Sequence, residues 1–379
     1  MRRHPVETVL FSLCFLVFAV PSWAQVAGQA PRAKAPATAV TEGESENVER
    51  LNKWTVGLAG GQIDGTYIKF AADIGTALDD DDNLRVLTVL TKGSVQNVYD
   101  LLYLKGVDAG LVSADTFEQF KNKGKIKNIE NRIQYVSQIH VSSLQLLVRP
   151  EIKTLKDLEG KKVAMPPKGS SSTALALKVL ERNNVKVEAV EVGNAGGIEK
   201  VKNGECAAVF RAFAKGAPTL FSNLDPKLGF HLLPIAFDKF ADEYYVPVLL
   251  EHEDYPNLIA PQEKIETLGS PVVLAVYNWP RGTDRFRKVE RFVQYYFDRI
   301  DKLKKPPFHP QWKEVNLAAT VPGWKRYWFA EEMLKKVTAS TAAARDAATG
   351  RAAVAGSGDS EQERLFGEFL QWKKEQGQR

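Results

Sequence analysis

From Thr55 to Phe213 the chain repeats one unit: a short apolar run, a turn bearing glycine or serine, then a segment with helical spacing. No other feature restricts the fold as much. Strands can return parallel to one another only through crossover segments, so this alternation predicts parallel sheets built from βαβ units, an α/β architecture. The first strand is expected at Thr55–Ala59, its turn at Gly60, Gly61 and Gly65, and a helix from Thr66 with Tyr67, Ala71, Ile74 and Leu78 on one face. Leu84–Leu90 is a nearly continuous apolar run and reads as a strand covered on both faces. Gly93-Ser94 opens a second helix, with Ser94 as N-cap, Val95, Val98 and Leu102 as its buried stripe and Gly106 as its stop. Further strands are expected at Val107–Val112, Val141–Val148, Lys161–Met165, Val187–Val192, Ala207–Phe213 and Val272–Tyr277, and an amphipathic helix at Phe286–Leu303. Trp312, Trp324, Tyr327 and Trp328 read as packing side chains.

The ends of the chain differ in composition from this body. Arg2 and Arg3 precede an apolar run at Val9–Val20, which is too short to span a bilayer, and small residues stand at Ser22 and Ala24. Residues 1–24 therefore read as a signal peptide cleaved after Ala24, which places the mature chain in the periplasm without direct membrane insertion. Residues 25–50 are poor in large apolar side chains and read as a solvated linker. Residues 336–360 read as a low-complexity segment, and Leu365, Phe369 and Trp372 within 361–379 as a C-terminal helix. The remaining body approaches three hundred residues, a length that favours two lobes over one core.

Several function classes are disfavoured. The chain carries +5; Arg2, Arg3 and Glu7 give the leader a net +1, which leaves +4 for the mature protein, too mild for a nucleic-acid partner. Lys121, Lys123, Lys125 and Lys127 read as a solvated edge, and Asp79–Asp82 as a turn after a helix, since a calcium loop needs spaced ligands and a closing glutamate. Cys206 is the one cysteine left after cleavage, so no intramolecular disulfide is expected, and its Ala-Ala-Val neighbours suit a buried small side chain. His140, His231, His252 and His309 are scattered, so no metal site or cofactor is expected. Neither G-x-S-x-G nor a P-loop occurs. The chain is read as a binding protein rather than an enzyme.

Four strand-to-helix turns carry glycine or small hydroxyls: 60–66, 92–95, 168–173 and 193–198. In open α/β sheets ligands bind beyond the carboxyl ends of the strands, where helix N-termini offer unpaired N–H groups and partial positive charge. Any one such turn could serve capping alone; their recurrence suits a shared pocket for a carboxylate or another small oxyanion.

Gly60-Gly61 with Gly65-Thr66-Tyr67, then Gly93-Ser94-Val95-Gln96-Asn97, Val112-Ser113-Ala114-Asp115, the segment Lys153–Val163, and Pro166-Pro167-Lys168-Gly169-Ser170 occur in one order. Together they resemble the TAXI family of solute receptors, which serve tripartite ATP-independent periplasmic (TRAP) transporters. The resemblance runs from about Thr55 to Val276. It departs at Gln62-Ile63-Asp64, which lengthens the first turn, and at Ile68-Lys69-Phe70, where the family has a tyrosine-proline step. What it implies is a type II periplasmic-binding-protein fold, with lobe 1 at 51–148 and 265–335 and lobe 2 at 149–264. It also implies a small anionic ligand, amino-acid-like or dicarboxylate, and membrane transporter subunits as partners of a monomeric receptor. Carried over, Gly61, Thr66, Tyr67, Ser94, Val95, Ser113, Ser171, Ser172 and Thr173 line the cleft. Arg211, at the end of a strand, is the expected charge partner for a carboxylate, or else part of a surface or interlobe ion pair. Two alternatives share the fold: a ligand-sensing or scaffold subunit that docks through its tail, and a periplasmic enzyme using the serines at 170–172.

Overall fold

A computed structural model describes residues 42–339 apart from 123, 125, 217–220, 222–223 and 241–243. The expected leader, most of the expected linker, the low-complexity segment beyond 339 and the C-terminal helix lie outside the described residues. Residues 42–50, read as linker from composition, belong to a helix, α1 (Glu42–Lys53), none of whose residues is buried. Glu42 and Glu44 in its first turn and Arg50 and Lys53 in its last complement the helix dipole, so local electrostatics favour a helix that has no packed face.

The strands are β1 (Thr55–Ala59), β2 (Arg85–Val89), β3 (Val107–Ser113), β4 (Ile133–Val148), β5 (Lys162–Met165), β6 (Glu188–Glu191), β7 (Ala208–Phe213), β8 (His231–Leu232), β9 (Val246–Leu250) and β10 (Ile265–Tyr277). They join in one sheet of order β2-β1-β3-β10-β4-β7-β5-β6, with β8 on β4 and β9 on β10. The β1–β2, β1–β3, β5–β6 and β5–β7 pairs are parallel, as the alternation predicts. The helices after α1 include α2 (Thr66–Leu78), α3 (Ser94–Tyr103), α4 (Ala114–Asn122), α5 (Ile129–Arg132), α6 (Ser171–Arg182), α7 (Asn194–Lys202) and α8 (Asp284–Leu303); residues 328–339 are helical as well, so 336–339, read as low-complexity, continue a helix. The buried face of α8 is Phe286, Val289, Phe292, Val293, Tyr296, Phe297, Ile300 and Leu303, which is the expected stripe at helical spacing.

Two long strands tie the molecule together. β4 and β10 run antiparallel, with Gly269, Ser270 and Pro271 opposite Ser143, Ser142 and Val141. Two buried apolar clusters draw on residues before 140 and after 271; two others draw only on residues from 144 to 268. The core therefore changes from one half to the other at the polar rungs Ser142, Ser143 and Ser270, inside the strands. The expected segment ends at 148/149 and 264/265 stand at the far ends of these same strands.

Two local readings are corrected. β2 is an edge strand, and Leu87 and Leu90 are 52% and 56% exposed, so the apolar run over 84–90 is not covered on both faces. An edge strand has only one neighbour, and composition does not reveal position in a sheet. The N-cap of α3 is Gly93 at φ +116°, not Ser94. That left-handed backbone favours glycine, and it brings Gly93 close to Ser170 of the other half, where a Cβ would lie 3.5 Å from the Ser170 Cα. Ser94, one residue later, spends its hydroxyl elsewhere. The late aromatic segment packs as expected: Trp312 is fully buried beside Phe70 and Trp324 stacks on Phe117 at 3.8 Å. Cys206 is buried and free, and burial pushes its thiol pKa up.

Candidate functional site

The carboxyl ends of β1, β2 and β3 are pinned by one side chain. Asn97, fully buried on α3, donates from Nδ2 to Gly60 O at 2.6 Å and Leu111 O at 2.7 Å, and its Oδ1 accepts from Thr91 Oγ1 at 2.6 Å. The turn at 60–66 is thereby held against α3. Beside it, Ser113 donates from its backbone N–H to Ser94 Oγ at 2.9 Å, and its hydroxyl shares hydrogen bonds with Ser94 Oγ at 3.1 Å and Thr116 Oγ1 at 2.9 Å.

In the other half, Ser170 caps α6 by accepting from Thr173 N, and Thr173 Oγ1 donates to Pro166 O at 2.6 Å. Ser172 donates to Ala212 O and accepts from Ala212 N, which fastens the start of α6 to β7.

Among the described residues, several contacts cross between the halves, three of them at the turns. The Tyr67 and Ser171 hydroxyls are 3.3 Å apart, Val95 N donates to Gly169 O at 3.2 Å, and Ala195 N at the start of α7 donates to Asp64 Oδ2 at 3.3 Å. Burial drives the Tyr67 phenol pKa far up, so it stays protonated. Arg211 lies wholly buried beneath α7 and donates to Gly193 O at 2.8 Å. Gly197 makes this possible, since a Cβ there would come 2.5 Å from Arg211 Nη2. Burial lowers the Arg211 pKa to about 10 against the opposing pull of the nearby Asp64 carboxylate, and at neutral pH the guanidinium remains charged.

Gly61, Thr66, Tyr67, Ser171 and Ser172 are brought together around a gap of about 40 Å³, with Lys92, Gly93 and Phe213. Liquid water takes roughly 30 Å³ per molecule, so the gap has room for about one water and not for an amino acid. Val95 and Thr173 line a neighbouring cavity of about 1190 Å³ between α4 and α6, which shares Ser170 with the gap. Ser94, Ser113 and Arg211 line neither; their polar groups are turned into the halves themselves. Asp115 was not singled out by sequence, yet it lines the larger cavity, buried, with Oδ1 accepting from Ser270 Oγ at 2.6 Å and Oδ2 meeting no hydrogen-bond partner in the protein. Burial raises its carboxyl pKa. Asp64 was likewise passed over as an extra residue in the turn. The signal available for both was an acid placed at a glycine- or serine-bearing turn. Among the described residues no group of His, Cys, Asp and Glu could hold a metal ion.

Two α/β halves, joined by a pair of antiparallel crossing strands and meeting at the carboxyl ends of their parallel strands, define the fold of type II periplasmic binding proteins. Residues 58–321 match the model of the NMT1-like family, well over half of the chain, and the protein belongs to that family. Solved structures resemble it at low identity. The substrate-binding protein of an amino acid ABC transporter is 13% identical with a TM-score of 0.40, covering 66% of this chain and 97% of its own. The periplasmic aliphatic sulphonate binding protein of Escherichia coli is 17% identical with a TM-score of 0.38, covering 66% and 73%. A structure described as a periplasmic transporter is 11% identical with a TM-score of 0.43, covering 74% and 93%.

Proposed function

We propose that this chain is a periplasmic solute-binding protein that closes its two halves on a small organic anion, amino-acid-like or dicarboxylate, and presents it to a membrane transporter. The observation that carries this reading is the meeting of the Gly61–Tyr67 turn with the Ser171–Ser172 helix start across the halves, bridged by the Tyr67 and Ser171 hydroxyls. Contacts made only when both halves come together are what allow a ligand to shift an open–closed balance. The anionic character is supported by the start of α7. A carboxylate, that of Asp64, already sits on its Ala195 N–H with the Arg211 guanidinium nearby, and a helix N-terminus over a buried cation suits such a group. The motif order shared with TAXI receptors supports a TRAP-type transporter as the partner. No helix among the described residues is long and apolar enough to cross a membrane. The hydroxyls of Ser170, Ser171 and Ser172 bond to Thr173, Tyr67 and the Ala212 backbone, an arrangement that caps and closes rather than activating a nucleophile.

The test is thermal unfolding against a panel of dicarboxylates, amino acids and aliphatic sulphonates. At least one acid raises the melting temperature in a saturable way, as a ligand that binds only the folded state must. A flat response across the whole panel overturns the proposal.

A further inference from the structure

Helix α7 begins without a cap of its own. Its N-cap residue is Gly193, which has no side chain to offer, and its first turn holds no acid. The first N–H groups of a helix lack partners within it, and that end carries partial positive charge. By contrast, α6 and α8 are capped by the side chains of their own N-cap residues, Ser170 and Thr283. For α7 the acceptor comes from the other half: Ala195 N donates to Asp64 Oδ2 at 3.3 Å. Asp64, half-buried, reaches it from a tight turn closed by Gly65 N donating to Gln62 O at 2.9 Å, just ahead of α2.

A charge lies beneath the same helix start. Arg211 on β7 is fully buried and donates to Gly193 O at 2.8 Å. Ile198 and Val201 fasten α7 over it, buried with Val209 in a core that belongs to the second half alone. A guanidinium taken out of water is costly unless an opposite charge lies near, and the Asp64 carboxylate supplies such a pull. One carboxylate of the first half therefore answers two positive features of the second, the helix start and the buried cation. Both features belong to the second half whether or not the halves meet, and Asp64 reaches them only when they do.

We propose that Asp64 is a latch: its carboxylate caps α7 across the seam and holds the two halves together without requiring a ligand. A ligand that binds only the joined form is then bound more tightly, in proportion to the fraction already joined. The test is small-angle scattering with hydrogen exchange on the full-length protein, with no ligand added, so its outcome is independent of the acid panel. In Asp64→Ala the ratio of joined to separated halves should fall roughly three- to tenfold, the range for an acid at a helix start. It is read as a larger radius of gyration together with faster exchange of the first α7 amides. Asp64→Asn keeps the shape and removes the charge; it should shift both readouts the same way by less, and it carries the test if circular dichroism shows the alanine variant unfolded. Glu199→Gln removes an acid from the exposed side of α7, where it pairs with Lys202, and should leave both readouts at their native values. Native readouts in the folded Asp64 variants, faster α7 exchange with an unchanged radius, or an equal change in Glu199→Gln overturns the proposal.

Discussion

Two groups of buried polar side chains flank Tyr67, and they are built in opposite ways. On one side, Thr91, Asn97, Ser94, Ser113 and Thr116 bond to one another and to the carbonyls of Gly60 and Leu111. On the other, the His140 ring packs edge-on to Tyr67 at 5.8 Å and has stacking partners but no hydrogen bonds. Both groups are buried to a similar degree. The difference teaches that burial of a polar residue does not define its role; saturation does. A saturated network holds backbone in place, whereas an unsaturated group either weakens the fold or awaits a partner.

The sharpest way to break this comparison is at Asn97. Replacing it by alanine strips the Gly60 and Leu111 carbonyls and the Thr91 hydroxyl of their partner in a site closed to solvent. Several lost bonds with unsatisfied groups left behind predict a cost of about 4 kcal/mol in urea unfolding. His140→Phe should cost almost nothing at pH 7, because no hydrogen bond is lost. Equal losses for the two variants would erase the distinction.

The second effect depends on pH. The folded imidazole of His140 is held down to about 3, while the unfolded chain titrates near the ordinary histidine value of 6.5. Below that value the unfolded state binds the proton first, so acid draws the equilibrium toward unfolding, and stability rises with pH across this window. Relative to His140→Phe, the native protein should lose stability by up to about 1.4 kcal/mol per pH unit on going below 6.5, which is roughly 2 to 3 kcal/mol by pH 4.5. Parallel stability curves for the two proteins between pH 7 and 4.5 would show that the ring is solvated after all.

Next in size is Ser94→Ala. Its oxygen accepts from the Ser113 N–H and hydroxyl, and the loss leaves a buried backbone donor bare. A cost of about 1 to 2 kcal/mol is expected in urea unfolding. A neutral outcome would mean that Ser113 finds another acceptor, and that this side of the comparison is less saturated than its geometry indicates.

The alternating strands and helices were legible because each element is short and carries its own period: β1, α2, β3 and α3 in one half and β7 in the other fall within a residue or two of the expected spans. Of the joining strands only the stretches Val141–Val148 and Val272–Tyr277 were legible. The first part of β4, with Gln134, Ser137, Gln138 and His140, and the first part of β10, with Thr267, Gly269 and Ser270, are broken by polar residues and did not read as strand. Polar residues lie there because that is where one core stops and the next begins, so the feature that hides the strands is the feature that divides the halves. The turns were legible as a set, and Gly61, Thr66, Tyr67, Ser171 and Ser172 do meet. Which hydroxyls face the gap was not legible. Ser94 and Ser171 occupy the same first helical position in their turns, and only a neighbouring strand residue, Ser113, draws Ser94 inward.

The smallest expected effect concerns the bond that joins the halves. Tyr67→Phe removes the hydroxyl that faces Ser171 at 3.3 Å, a long contact whose serine partner sits at the edge of a gap with room for about one water. A net cost of about 0.5 kcal/mol is expected, at the low end for a neutral hydrogen bond. Ser171→Ala should cost a similar amount, and the double variant no more than either single change, since both remove the same interaction. The measurement is a double-mutant cycle by urea unfolding, paired with small-angle scattering to follow the separation of the halves. Strict additivity would show that the two hydroxyls are neighbours without coupling, and closure would then have to rest on other contacts that cross the seam, such as Val95 N with Gly169 O, Ala195 N with Asp64 and Gln311 with Lys215 O.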